Sequence, residues 1–158
     1  MANNVNRFDS DLLNLLRSLP LSRSNQMANV TEKQTHALVC QYLRIRNVMF
    51  NTDMSGINLP IGLAVQSAKL RSNTGYPDLT IYEPRGGWFA LFIELKRPSK
   101  SPYLKSGKLS TNKKVQEQNR VHLDLIERGY LALFATGFDE AKRIIDAYLD
   151  GQIERIEL

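Results

Sequence analysis

With one cysteine, Cys40, the chain cannot form an internal disulfide, and no Cys/His cluster has the spacing of a zinc site. Histidine is nearly as scarce, with two residues, His36 and His122, which stand far apart in sequence. No apolar run approaches the roughly 20 residues that cross a bilayer. Nor is there a charged n-region followed by the apolar stretch of a secretory leader. These absences set the expectation of a soluble protein in a reducing, cytoplasmic setting. Internal repeats and low-complexity blocks are also missing, which excludes solenoids and disordered arrays. What remains is 158 residues at 42% hydrophobic content, enough to bury one domain core without staples.

Acid is missing from one stretch in particular. Between Leu95 and Gln116 there are seven basic residues (Lys96, Arg97, Lys100, Lys105, Lys108, Lys113, Lys114) and no aspartate or glutamate. The net charge of +5 is therefore uneven: +9 over residues 1–116 and −4 over 117–158. A basic run without acid is an electrostatic footprint for a polyanion, because each phosphate neutralised releases counterions. A solvated loop made basic for solubility has the same composition.

Periodicity organises the rest. Phe8, Leu12, Leu15, Leu16 and Leu19 recur at helical spacing and stop at Pro20. The polar stretch Ser22–Asn29 then reads as a linker, so residues 1–29 form a helical arm and 30–158 the main domain. Thr31-x-x-Gln34 is a capping-box pattern opening a helix to about Arg46. Its stripe is Leu38, Tyr42, Ile45 and Met49, with Val39 and Leu43 alongside and Glu32 at the edge of the arc. A short strand is expected over 48–51, and a helix whose first turn holds Pro60, with Leu63, Ala64 and Ala68 following. Asn73, Gly75 and Pro77 mark a turn, and a strand follows from Asp78 or Leu79 to Tyr82. A longer strand, apolar on both faces, covers Trp88 to Lys96, and such a strand belongs at the centre of a covered sheet. A helix from about Thr111 to Arg128, a buried strand over 131–135, a helix after Gly137 and an edge strand over 153–156 complete the chain. The fold class is α/β, a mixed β-sheet flanked by helices.

Residues i and i+2 of a strand face the same way, so Glu94 and Lys96 project together. Fifteen residues separate Asp78 from Glu94, and if the two strands pair, Asp78 comes beside them. Two carboxylates meeting at a sheet end repel unless a cation joins them. A hard ion such as Mg²⁺, bound by Asp78, Glu94, the Leu95 carbonyl and waters, relieves that repulsion, and Lys96 is then placed to hold or deprotonate a water. Taken alone, Glu94 and Lys96 fit a surface ion pair better, but their place at the end of a doubly covered strand, directly before a basic run, weighs against it. Gln118 adds a separate signal, an amide in the middle of an apolar helix stripe between Val115 and Val121. It is either a core glutamine satisfied by backbone or an amide facing the site.

In their order, Gly75-Tyr76-Pro77-Asp78-Leu79, Phe92-Ile93-Glu94-Leu95-Lys96, Gln118 and Gly129-Tyr130 resemble the VRR-NUC family of virus-type replication-repair nucleases, a branch of the PD-(D/E)xK superfamily. The resemblance spans Thr31 to Leu149. It implies a restriction-endonuclease-like core and Mg²⁺- or Mn²⁺-dependent hydrolysis of DNA. Asp78 and Glu94 would be metal ligands, Lys96 the water-positioning residue, Gln118 the family's glutamine and Glu32 an acid serving a possible second metal. Lys96, Arg97, Lys100, Lys105, Lys108, Lys113 and Lys114 would hold phosphates, with Tyr103 as a contact to bases.

Small members of this family resemble junction resolvases, which implies a homodimer acting on branched DNA in replication, recombination or repair, in a bacterial cell or a phage-infected host. Two alternatives remain open: a nuclease of other specificity (flap, end or sequence) and a catalytically silent DNA-binding module. For the dimer, light scattering at micromolar protein is expected to give twice the 18.0 kDa chain mass, and a mass of one chain would sink it.

Overall fold

The computed structural model describes residues 30–53, 60–70 and 74–155. The expected N-terminal helix and linker, Asn73 of the turn and Ile156 of the edge strand lie outside them. In chain order the elements are α1 (Glu32–Ile45), β1 (Phe50–Thr52), α2 (Ile61–Lys69), β2 (Leu79–Ile81), β3 (Leu91–Lys96), α3 (Lys113–Glu127), β4 (Leu131–Thr136) and α4 (Gly137–Leu149). The four strands form one sheet in the order β1-β2-β3-β4. The first two pairings are antiparallel and β3–β4 is parallel, so α3 is the crossover that the parallel pair requires.

Alternation along β3 divides the interior in two. Leu91, Ile93 and Leu95 join Leu79, Ile81, Leu131, Leu133 and Ala135 in a core closed by Val39 and Leu43 of α1 and Ile144, Ile145 and Tyr148 of α4. On the opposite face Phe92 and Ala132 pack beneath Val121 and Leu125 of α3. Glu94 and Lys96 share that second, smaller core, and they are buried because α3 covers them.

The capping box forms as the sequence predicts, with Thr31 Oγ1 accepting from the Gln34 N–H and the Gln34 side chain accepting from the Thr31 N–H. The buried stripe of α1 differs from expectation. It consists of Thr35, Val39, Cys40 and Leu43, whereas Ile45 and Met49 are exposed. The helix ends at Ile45 and Asn47 turns left-handed (φ 53°), so the 3.6-residue period stops before it reaches Met49. β3 begins at Leu91 instead of Trp88, because Gly86 and Gly87 make a tight Arg85–Trp88 bridge that occupies the preceding residues. Residues 153–155 form no strand: Ile153 is buried and the Arg155 N–H donates to Gly86 O at 2.7 Å, anchoring the tail as a loop.

Gly129, with φ +87°, turns the chain from α3 into β4, and a Cβ there would sit 2.7 Å from Phe89 Cε2. Because the Phe89 ring is exposed and can move aside, Gly129→Ala is expected to cost about 1–2 kcal/mol in chemical denaturation, mostly from left-handed backbone strain. Gly62, on α2 with nothing within 4 Å, is the contrast, and its alanine variant should be neutral or gain up to about 1 kcal/mol.

Candidate active site at the carboxyl end of β3

Parallel strands with a crossover helix leave a crevice beyond their carboxyl ends. β3 ends there with Glu94, Leu95 and Lys96. Antiparallel register pairs Leu79 with Ile93, so Asp78, one residue before β2, arrives opposite Glu94. The Leu95 N–H donates to Asp78 Oδ2 at 2.8 Å, which extends the β2–β3 ladder through a side chain and fixes the carboxylate. From above, the buried face of α3 supplies Gln118. Gly75 (φ +87°) passes close to that helix, where a Cβ would meet the Gln118 Cα and N at 3.4 Å each. The turn carrying Asp78 is thus seated on the helix carrying Gln118.

The structure brings Asp78, Glu94, Lys96 and Gln118 into one cluster. Glu94 and Gln118 are each 3% exposed and Lys96 8%. Lys96 Nζ donates to Glu94 Oε1 and to Gln118 Oε1, both at 2.8 Å. The Gln118 Nε2 donates to the same Glu94 Oε1. Both ends of the amide are committed, which answers why a glutamine lies in an apolar stripe. The two Glu94 oxygens are unlike: Oε1 accepts twice, and Oε2 is buried with no hydrogen-bond partner. An unanswered carboxylate oxygen in an interior costs free energy.

Charge behaves accordingly. Burial, reinforced by Asp78, pushes the Glu94 carboxyl up from 4.5 to about 7, against the lowering effect of Lys96 and Lys114. Asp78 is also raised, by burial first; its bond from Leu95 and the charges of His36 and Lys96 offset this, and Glu32 adds to it. Glu32 is exposed on the first turn of α1, so it approaches the cluster through Asp78 and not through a hydrogen bond to it. One turn on, His36 holds its Nε2 buried without a partner. Behind Lys96 lies Phe134, its ring 5.8 Å from Nζ and 4.4 Å from the ring of His122. Burial, then Lys96, holds His122 down at about 3, so that imidazole is neutral.

Arg97, Lys100, Lys105, Lys108, Lys113 and Lys114 are all exposed, along the segment leaving the cluster and the first turn of α3. Tyr103 is half-buried, with its ring edge-on to Phe134 at 6.2 Å. Sequence reading missed Phe134 as the platform under both Lys96 and His122, since an apolar residue in a buried strand carries no sign of what it touches. Gln116 has a structural role on the surface. Although exposed, its Nε2 donates to Ser110 O at 2.6 Å and ties the basic segment to α3.

The same architecture occurs in a known structure. A solved VRR_NUC domain protein superposes with a TM-score of 0.58 at 21% identity, covering 78% of this chain and 91% of that one. The chain thus has a restriction-endonuclease-like, VRR-NUC-type fold. No sequence-family model matches it, and neither does any curated protein.

Because Glu94 binds its proton more tightly folded (about 7) than unfolded (4.5), the stability conferred by that proton is present at low pH and is lost as pH rises through about 7. His122 has the opposite sign, and its contribution is lost as pH falls from 6.5 towards 3. A comparison of wild type with Glu94→Gln in EDTA cancels the histidine. Relative to wild type, the variant is expected to gain thermal stability as pH rises from about 5 to about 8. A difference in Tm that does not change with pH would contradict a proton-holding Glu94.

Proposed function

We propose that this chain is a divalent-metal-dependent nuclease of the VRR-NUC family, within the PD-(D/E)xK group, which hydrolyses phosphodiester bonds of branched DNA. The observation that carries this reading is the division of Glu94. One oxygen is committed to Lys96 and Gln118, and the other is buried and bare, in a carboxyl that feels the charge of Asp78.

Among the described residues no group of three or more His, Cys, Asp or Glu is arranged to hold an ion. Two carboxylates nevertheless suit Mg²⁺ or Mn²⁺, since such ions keep several waters and share their coordination with substrate phosphates. Asp78 and Glu94 would hold the ion, with the Leu95 carbonyl as a further oxygen and Glu32 serving a second ion beside Asp78. When bound, the ion supplies positive charge that offsets the two carboxylates and the charge developing on the scissile phosphate.

The remaining work belongs to the chain's own groups. Lys96 Nζ uses two of its three donors on Glu94 and Gln118, and the third is left to orient the attacking water or hold a phosphoryl oxygen. Gln118 keeps both partners in place. The exposed bases from Arg97 to Lys114 grip the flanking phosphates. Lys113 and Lys114 stand in the first turn of α3, which carries no acid, and there the helix dipole disfavours cations. Lys113 has Glu117 at 3.9 Å within the helix, and a polyanion would be a further partner offsetting that placement. Two chains acting together would present two such centres to the opposed strands of a junction.

A panel of four-way junction, flap and linear duplex with Mg²⁺, Mn²⁺ or EDTA tests the proposal. Wild type is expected to cut with metal and not with EDTA, and Asp78→Ala and Glu94→Ala to lose at least about 10³-fold in rate. Lys96→Ala should lose about 10²–10⁴-fold while DNA affinity falls less than about tenfold. Metal-dependent cutting left intact in the two carboxylate variants would sink the proposal. Salt-sensitive binding without cutting by wild type would favour a silent DNA-binding module.

A further inference from the structure

The acid-free segment between β3 and α3 is not a slack loop. Tyr103 bridges Leu109 in antiparallel fashion. The Leu104 N–H donates to Lys108 O at 2.8 Å, the Gly107 N–H to Leu104 O at 2.9 Å and the Ser110 N–H to Pro102 O at 2.8 Å. Gly107, at φ +79°, supplies the left-handed residue that a short hairpin needs. The base of this hairpin is anchored three ways: Pro102 is buried, Tyr103 lies edge-on against Phe134, and the Gln116 side chain of α3 bonds Ser110 O. The tip is therefore held at a set distance from Lys96, which lies over the same Phe134 ring.

At that tip an aliphatic side chain faces solvent. Leu104 is 51% exposed, and it stands beside Lys105 and across the turn from Lys108, both exposed. A lone exposed leucine is ordinary on a protein surface, and what distinguishes this one is where it stands. Between two lysines, on a rigid turn and in a segment of seven bases and no acids, its surroundings are complementary to one surface in particular, a stacked base step flanked by phosphates. Apolar side chains inserted at such steps unstack them at a modest energetic cost, and neighbouring cations offset that cost through phosphate contacts.

We propose that residues 101–110 form a strand-separating wedge, in which Leu104 enters the base stack at the branch point of duplex DNA while Lys105 and Lys108 hold the phosphates on either side. This deepens the nuclease reading and rests on it for the substrate. The wedge opens the duplex where stacking is already weakest, at a junction or fork, and delivers the separated strand along the hairpin towards Lys96. Preference for branched over linear DNA then follows from the lower cost of insertion at a branch.

Unstacking can be read without cleavage, which separates the two proposals. The full-length chain in EDTA is mixed with a four-way junction carrying 2-aminopurine beside the branch, and fluorescence is followed through titration. Wild type is expected to raise the emission, and Leu104→Ser to bring it back to the level of free DNA. Leu104→Met should retain most of the rise, because the site needs an apolar group and not leucine itself. Lys105→Ala with Lys108→Ala should reduce the slope of binding against salt concentration by about two. With Mg²⁺, Leu104→Ser should narrow the preference for junction over linear duplex by about tenfold or more. Leu104-dependent unstacking by a chain that never cuts would support the wedge while the nuclease reading fails. Cutting with unchanged unstacking and preference in Leu104→Ser would overturn the wedge and leave the nuclease standing. An absence of any rise with bound wild type would overturn it as well.

Discussion

A lysine and a glutamate buried together on a sheet face can persist only if the atoms around them answer their hydrogen-bonding demands, and most of this molecule's layout follows from meeting that requirement. Lys96 is bonded to Glu94 and to Gln118, and Gln118 in turn bonds Glu94. Breaking a buried pair by removing one partner typically costs about 3–5 kcal/mol. The cluster therefore constrains the register of β3, the rotation of α3 about its axis and the approach of the turn that carries Asp78. Within the bonded trio of Glu94, Lys96 and Gln118, Glu94 Oε2 is the buried oxygen left without a partner.

The two faces of the sheet divide the labour. The face covered by α1 and α4 is wholly apolar at its centre, and it supplies the burial that holds the strands together. The face under α3 has a small apolar core, and beyond it the space is given to the polar cluster. α3 consequently does three things at once. Its middle supplies Gln118, its first turn presents Lys113 and Lys114, and Gln116 between them fastens the basic hairpin. At 100° per residue Gln116 lies about 160° around the helix from both Lys114 and Gln118, whereas Lys114 and Gln118, one turn apart, share a side.

Phe134 links the polar cluster to the surface. Its ring touches the surroundings of Lys96, His122 and Tyr103, so the hairpin's position and the lysine's environment depend on one aromatic side chain. The neutral His122 suits this arrangement, since a second cation beside Lys96 in a buried space would repel it. The basic segment thus combines an anchored base with a charged tip, and composition alone does not separate that from a solvated loop.

Local chemistry was readable directly from the order of residues. The capping box at Thr31, the punctuation by Pro77 and Gly129, the doubly apolar β3 and the i, i+2 relation of Glu94 and Lys96 all depend on neighbours within a few positions, and periodicity reports such neighbours. Gln118 was visible as a polar interruption of an apolar stripe, though its partners were not. Long-range pairing belongs to the tertiary structure. Only the fold decides that Gln118 Nε2 and Lys96 Nζ converge on one oxygen of Glu94, that Gly75 seats the Asp78 turn against α3, and that Tyr103 turns inward while Leu104 turns out. The exposure of Ile45 and Met49 was likewise undecidable from a helical wheel, because a wheel assumes that the helix continues and that its neighbour covers the whole stripe. Sequence determines which side chains lie on one face of one element; which faces meet is set by packing several elements at once.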